Sequence, residues 1–439
     1  GWGRGGGGGA AGGGGGGWGG GGGGGGGRGG GGGGRGGVGG GGGGGGVWMA
    51  VRPLYRSSYD VRVASVFPQV NPASRTDAAQ PRRAALRRDT AVWAIVRNWR
   101  VLTRGTHADR TLIACSGGAD SCALVAALGS LSTATDRFVV GHVVHDLRAE
   151  SEALADRDAA RAAAANMGLE FAEAHVRVRA PGKNLEAAAR EARYAALIGM
   201  AREHDIRFIA TAHHADDQVE TVVMSLLRGA AGGGAGLRGM AAKRRISDLK
   251  LEISDVKSKR PVPWLIRPML TPQAEVDRAA CQRICDLAGI HWREDATNAD
   301  ISRLRAAVRH RVVPILREIR PDVARRAMAA AEIAELATIR LERAARRVLQ
   351  RARVEGKEEP HEFSWPRAEL RPRDPLLLGA VVRMARRRLC GRAGEDRATK
   401  RSVDAVVRAI RDASTEARHC RLGGMEIEVT ARRVVMRGR

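Results

Sequence analysis

Between residues 91 and 227, short apolar runs alternate with longer helical stretches, and this rhythm leaves the chain few folds to choose from. Residues 91–104, "AVWAIVRNWRVLTR", have helical apolar spacing. "TLIACSGG" then reads as a buried strand running into a turn, and "ADSCALVAALGSL" as the helix after it. "RFVVGHVVH" is a second strand, followed by a helix that stops at Gly168. "LEFAEAHVRV" and "IRFIATAHH" are a third and fourth, each followed by a helix, the last ending at Gly229. Strands and helices in this order predict an α/β fold with a doubly wound parallel sheet. Such sheets bind ligands beyond the carboxyl ends of their strands. The polar clusters at 116–121, 142–148 and 213–220 all fall at such ends.

The rest of the chain divides around that sheet. Residues 1–48 are almost all glycine and form a low-complexity tail that cannot bury a core, so it is expected to be disordered. RGG-like arms bind RNA loosely; the expectation here is instead a dispensable tail ahead of Met49, the first methionine. Residues 49–90 lack the apolar core of a signal peptide and are expected to be a poorly ordered lead-in. Residues 91–325 make the sheet-bearing domain, with a glycine-rich, then basic, mobile loop at 230–245. Residues 326–439 make a smaller, mainly helical domain that ends in short strands about a Gly-Gly turn, with no further domain expected after it.

Charge and cysteine usage narrow the partners. The formal net charge is +26; the tail holds three arginines and no acids, so residues 49–439 keep +23. That excess points to a polyanion, nucleic acid being the usual one, although an arginine-rich genome would also produce it. The six cysteines form no CxxC pair, which argues against zinc and iron–sulfur sites and suits a reducing cytoplasm. No apolar run approaches about 20 residues, so no membrane partner is expected.

The stretch "SGGADS", residues 116–121, carries the sharpest chemistry. A strand delivers the chain, glycines strip away Cβ atoms, and a helix opens with its first amides lacking intrahelical acceptors. Phosphate oxygens fit there. Taken alone, Ser121 would serve as an ordinary N-cap. Asp120 would repel a bare phosphate, and Mg2+ between the two gives it a reason to be there. The loop is not a Walker motif, since no GxxxxGK is followed by Ser or Thr. The one GxGxxG match, "GAGLRG" at 234–239, follows a helix rather than a strand.

SGGADS after a buried strand resembles the pyrophosphate loop of the N-type ATP pyrophosphatases, the PP-loop group. "HVVHDLRAES" at 142–151, "NLEAAAREARYAAL" at 184–197, "TAHHADDQVETVVMSLLRGAAGGGAGLRGM" at 211–240, "IRPML" at 266–270 and "REDATNAD" at 293–300 resemble, in that order, the tRNA(Ile)-lysidine synthetase family. The resemblance is strong over roughly residues 108–320. It implies a cytoplasmic ligase that uses ATP and Mg2+ to adenylate C2 of the wobble cytidine of tRNA(Ile) with a CAU anticodon. The ε-amine of free L-lysine then displaces AMP. A homodimer stays open.

The same resemblance distributes roles. Ser116, Gly117, Gly118, Ala119, Asp120 and Ser121 would cradle pyrophosphate, with His145 and Arg148 beside the nucleotide. Asp120 and Asp217 would be the magnesium ligands. His213 and Asp217, one helical turn apart, would act on the α-phosphate and the activated base. Arg193 would stabilise the transferring adenylyl group. Singly, each has an ordinary alternative: a helix entry for His213 and His214, a surface pair for Arg193, a surface charge for Glu220. Arg305, Arg309, His310 and Arg311, on a helix before Pro314, would touch tRNA. Ala306, Arg303, Val144 and Asp146 depart from the family pattern. The rival expectations are a PP-loop tRNA thiolase, disfavoured by the lack of CxxC, and a catalytically inactive basic RNA-binding protein.

Overall fold

The parallel sheet is present, and both of its edges are antiparallel. The computed structural model describes residues 59–64, 79–104, 110–131, 133–147, 149–178, 185–227, 237–246, 262–271, 275–294, 304–355, 361–391 and 398–438. The glycine-rich tail, Arg148, Arg303 and residues 295–300 lie outside them.

Strand β1 (Tyr59–Ala64) and helices α1 (Ala79–Arg88) and α2 (Thr90–Leu102) lead to β2 (Thr111–Ala114). Then come α3 (Ala119–Gly129), α4 (Ala134–Arg137), β3 (Phe138–His145), α5 (Glu150–Asn166) and β4 (Glu170–Val178). Next are α6 (Leu185–Glu203), β5 (Phe208–Ala210), α7 (Ala215–Leu227), β6 (Lys243–Arg245), β7 (Trp264–Ile266) and α8 (Arg278–Ala288). Helix α9 (Leu304–Ala307), a π-helical turn (Val308–Val312) and α10 (Val313–Ile319) run on to the long α11 (Val323–Gln350). The remainder holds β8 (Arg353–Glu355), β9 (Glu362–Pro366), α12 (Arg367–Leu370), α13 (Pro375–Cys390), α14 (Lys400–Arg411), β10 (Arg418–Leu422), β11 (Met425–Val429) and β12 (Arg433–Gly438).

The first sheet has the order β1-β4-β3-β2-β5-β7-β6. Strands β4, β3, β2, β5 and β7 are parallel. The edges β1 and β6 pair antiparallel. Neighbouring residues of β2 serve the two faces. Ile113 packs with α2, α3 and α8, and Leu112 with α6. After β2 the chain winds toward β3 and β4, then crosses back so that β5 lies on the other side of β2. The order therefore reverses at β2, and the loops leaving β2 and β5 flank the crevice where such sheets bind ligands.

Part of the lead-in is more structured than expected. Within residues 49–90, β1 pairs along β4, and α1 buries Leu86 in the core. The 230–245 loop also differs at its end, where Lys243–Arg245 form an edge strand and the Met240 amide donates to the Gln218 side chain. The second sheet, order β10-β11-β12-β9-β8, joins the expected helices, and its β10–β11 hairpin turns at Gly423 and Gly424, both with positive φ. Helix α11 belongs to two cores. Its Ala324 packs beside Val219 of α7, while Ala345, Val348 and Leu349 belong to the carboxy-terminal core. A boundary at 325/326 thus falls inside the first turn of a continuous helix.

Candidate active site at the carboxyl end of β2

Strand β2 ends in a loop held rigid by its own short side chains. The Ser121 hydroxyl donates to the Gly118 carbonyl at 2.9 Å and accepts the Ser116 amide at 3.1 Å. With that proton committed, the 3.2 Å contact between Ser116 Oγ and Ser121 Oγ has Ser116 donating. Ser121 is only 6 % exposed. It staples the loop rather than reaching out as the donor to phosphate expected from sequence. Gly117 has φ +86°, and a Cβ there would lie 2.6 Å from the Asp156 carbonyl oxygen, so no other residue fits. Its carbonyl accepts the Arg293 amide, while the Arg293 side chain donates to Asp156. The strand side is fixed by His142, whose Nδ1–H donates to the Cys115 carbonyl at 2.8 Å. Burial lowers that imidazole to about 4, which keeps it neutral.

Helix α3 starts without a side-chain cap. Its N-cap is Gly118, in extended conformation, and the first intrahelical bond runs from the Cys122 amide to the Gly118 carbonyl. The amides of Ala119, Asp120 and Ser121 are left without an intrahelical acceptor, at the positive end of the helix. A Cβ on Gly118 would meet nothing closer than 3.7 Å. The protein itself gives no steric reason for that second glycine; a ligand lying against the backbone would.

The loop after β5 brings the second cluster. His214, 1 % exposed, places Nε2 3.4 Å from Asp120 Oδ2 and 3.7 Å from Asp217 Oδ2. Its amide also donates to Asp217 Oδ2 at 3.0 Å. Burial opposes protonation of this imidazole, but Asp217, Asp120 and Asp216 outweigh it and raise the group to about 9. His214 is therefore a cation bridging two carboxylates in the first turns of different helices, α3 and α7. Burial likewise opposes ionisation of Asp120 and Asp217. His214 and nearby cations prevail at both, holding Asp120 below its usual range and Asp217 down to about 2. His213 behaves oppositely: burial and the Arg267 charge lower it to about 3. It stands neutral, with Nδ1 3.0 Å from Thr211 Oγ1.

Helix α9 and the π-helical turn after it supply Arg305 and Arg309, which the resemblance assigned to tRNA. Arg305 and Arg309 each reach Asp217 Oδ1, at 3.3 and 3.2 Å, and each pairs with Glu220, at 2.9 and 2.5 Å. Glu220 is 1 % exposed, so it is a buried partner rather than a surface charge. Asp216, beside Asp217, is gripped by Arg317, which also reaches Glu275. This joins the start of α7 to the segment before α8 and to α10.

Part of this network faces a cavity of about 560 Å³, with His214, Asp216, Glu220 and Arg317 standing behind its wall. Ser116, Gly118, Ala119, Asp120, Ser121, His145, Arg193, His213 and Asp217 line it, as do Arg305, Arg309 and His310. Of the expected loop residues only Gly117 stands behind the wall. Trp292 and Gln282 line it as well, and nothing in their local sequence marks them. The two carboxylates named for a metal differ. Asp120 Oδ1 is buried without a hydrogen-bond partner beside the loop amides, which suits a cation that takes its other ligands from phosphate and water. Asp217 has both oxygens engaged by His214, Arg305 and Arg309. Among the described residues, no three His, Cys, Asp or Glu cluster as a metal site of their own. No described helix is long and apolar enough to cross a membrane.

Residues 93–316 match the PP-loop domain family. The tRNA(Ile)-lysidine synthase of Bordetella parapertussis is 40 % identical over 240 residues, covering 52 % of this chain and 62 % of that protein. That of Bordetella pertussis is 40 % identical over 52 % of this chain and 67 % of its own length. That of Geobacter sulfurreducens is 36 % identical over 51 % and 44 %. Against the first of these relatives, the chain thus spans less than two thirds of the relative's length. Among solved structures, the U34-tRNA thiolase NcsA of Methanococcus maripaludis matches 56 % of this chain and 80 % of that one, with a TM-score of 0.42 and 15 % identity, too remote to bear on chemistry. With half its length matched by the domain and two thirds of a close relative covered, the chain belongs to the PP-loop domain family and, within it, to the family of the tRNA(Ile)-lysidine synthases.

Proposed function

We propose that this protein is an ATP-dependent tRNA-modifying ligase that converts the wobble cytidine of tRNA(Ile) with a CAU anticodon into lysidine. The observation that carries the reading is the convergence in one cavity of an uncapped helix start with Asp120 and Asp217, which His214 bridges from behind the wall. In the first step the cytidine O2 attacks the α-phosphorus of ATP, and the bond to pyrophosphate breaks. In the second, the ε-amine of lysine adds at C2, and AMP leaves with the oxygen. Adenylation turns a poor leaving oxygen into a good one.

The side chains divide this work. The amides of Ala119, Asp120 and Ser121 hold the departing pyrophosphate, with Gly118 leaving room for its approach and the Ser116 hydroxyl turning from Ser121 to the phosphate. His145 lies beside the nucleotide. Asp120 offers its unpartnered oxygen to Mg2+, which when bound offsets phosphate charge. Arg193, on the cavity wall, stabilises negative charge on the transferring adenylyl group. His213, neutral and fixed by Thr211, orients the base by hydrogen bonding. Asp217 stays ionised and favours the positive charge that develops on the attacking amine. His214 holds Asp120 and Asp217 in register, so that the phosphate end and the base end of the reaction share one geometry.

The test is mass spectrometry of tRNA nucleosides after incubation with ATP, lysine and tRNA(Ile), alongside ATP–pyrophosphate exchange. Lysidine and RNA-dependent exchange are expected. Exchange without RNA, dependence on a sulfur donor, or ATP-independent RNA binding with no product would overturn the reading. Asp217→Asn is expected to cut lysidine formation by about 10²-fold while leaving ATP–pyrophosphate exchange and tRNA affinity within about twofold.

A further inference from the structure

Helix α1 ends in Arg87 and Arg88, helix α2 carries Arg97 and Arg100, and neither helix contains an acidic residue. One acid stands between them, Asp89, and it is already engaged. Its Oδ1 accepts the Ala91 and Val92 amides, its Oδ2 pairs with Arg283, and its side chain is 10 % exposed. Helix α2 buries Val92, Ile95, Val96 and Trp99. Its outward face shows Trp93, Arg97, Arg100 and Val101, and Arg104 follows in the turn after the helix. Positions 93, 97, 100, 101 and 104 have the spacing of one helical stripe. Arg97 Cζ lies 5.0 Å from the Trp93 ring centroid, yet Trp93 remains 52 % exposed. Among the described residues, no carboxylate pairs with Arg87, Arg88, Arg97, Arg100 or Arg104. An arginine-rich genome does not account for this. Helix α5, on the same face of the sheet, carries Glu150, Glu152, Asp156 and Asp158 beside its arginines.

We propose that the outward face of α2 is a docking surface for the substrate tRNA, with phosphates on Arg97, Arg100 and Arg104 and one unpaired base stacked on Trp93. The inference rests on the reading of the protein as a tRNA-modifying ligase. Arginines without acidic neighbours keep their full charge for a polyanion. Arg97 and Arg104 are separated by about 10 Å along the helix axis, enough to meet more than one phosphate of a strand. An outward indole beside a guanidinium is the platform on which single-stranded nucleic acid stacks, and the base must be unpaired because pairing keeps it within its own stack.

The surface is tied to the cavity through α8. Arg278 and Gln282 line the cavity, and the next residue, Arg283, holds Asp89 at the start of α2. A tRNA whose cytidine enters the cavity thus has a second hold one helix away. An anionic membrane would meet the same charges. The stripe, however, offers it only Trp93 and Val101 to bury, too little apolar surface for a helix that lies in an interface.

The test compares the full chain with Trp93→Ala and with the triple variant Arg97→Gln, Arg100→Gln, Arg104→Gln. All four side chains are exposed, so both variants are expected to fold, which circular dichroism checks. In filter binding of tRNA(Ile) across a salt series, the triple variant is expected to lose about 2 from the logarithmic slope and at least about tenfold in affinity. Trp93→Ala is expected to lose about tenfold in affinity with the slope within about 0.5 of the full chain's. In lysidine formation the KM for tRNA is expected to rise in both, while the KM for ATP stays within about twofold. Ultraviolet crosslinking of the unsubstituted complex is expected to mark the tryptic peptide Asp89–Arg97. Unchanged slope and affinity in the triple variant, or crosslinks confined to other peptides, with lysidine still formed, would overturn the surface and leave the ligase reading standing. Loss of binding to phosphatidylserine vesicles in the triple variant, with tRNA binding intact, would assign the face to a membrane and overturn it too. An unsubstituted chain that neither binds tRNA nor makes lysidine would remove both the surface and the reading beneath it.

Discussion

At the residue scale, the bridge depends on the protonation of a histidine. His214 is raised to about 9 from an ordinary 6.5 by the carboxylates around it, so its contribution is complete below 6.5 and is lost as pH rises through about 9. Asp217, lowered to about 2 from an ordinary 3.8, contributes fully above 3.8 and loses its share as pH falls through about 2. The alkaline limit is therefore the one met first near neutral pH. The midpoint of thermal unfolding is expected to fall between about pH 8 and pH 10, and His214→Gln is expected to flatten that fall while lowering stability near pH 7. Equal alkaline slopes in both proteins would show that His214 carries no bridging charge. Gly117 is a backbone counterpart. Its positive φ and the 2.6 Å approach of the Asp156 carbonyl make Gly117→Ala a folding defect. Calorimetry is expected to find a loss of about 2 kcal/mol or more, even without nucleotide.

At the scale of elements, the informative contrast lies between helix starts. Helices α2 and α8, beside the loop, are capped by Asp89 and Asp277, whereas α3 opens on Gly118 with no side-chain cap. A cap would satisfy the amides that phosphate needs. Gly118→Asp puts a carboxylate where the structure leaves room for a Cβ. Thermal stability is expected to hold or rise by a few tenths of a kcal/mol, while ATP affinity falls by about 10²-fold. Joint loss of stability and affinity would mean that Gly118 is demanded by packing. This arrangement was legible in the sequence because an apolar strand, two glycines and a helix leave little choice. The edge strands were not: Lys243–Arg245 is three basic residues, made a strand only by the neighbour β7. Nor were the ion pairs of Arg305 and Arg309 with Asp217 and Glu220, since nothing local reveals that Glu220 is buried. His214 was passed over for the same reason. Its burial between the starts of α3 and α7, more than 90 positions apart, is a property of the sheet order, not of the segment "TAHHADD".

At the scale of the whole molecule, the basic excess and the continuous α11 belong together. The helix runs from the small core that it shares with α7, the helix bearing Asp217, into the carboxy-terminal core. A nucleic acid held on the far part of the chain would thus be held by an element that also packs on α7. The charge for that purpose sits in residues 49–439, which keep +23 once the three tail arginines are set aside. Association with tRNA is therefore expected to weaken steeply with salt, each neutralised phosphate adding roughly 0.7 to 0.9 to the logarithmic slope. A chain beginning at Met49 tests where that contact lies. If residues 49–439 make it, turnover is expected to stay within about twofold of the full chain and the salt slope to change by less than about 1. Filter binding across a salt series reads the slope, and lysidine formation reads the turnover. A loss of two or more from the slope, or a collapse in turnover, would place the glycine-rich arm on the RNA and move part of the recognition away from α11 and its surroundings.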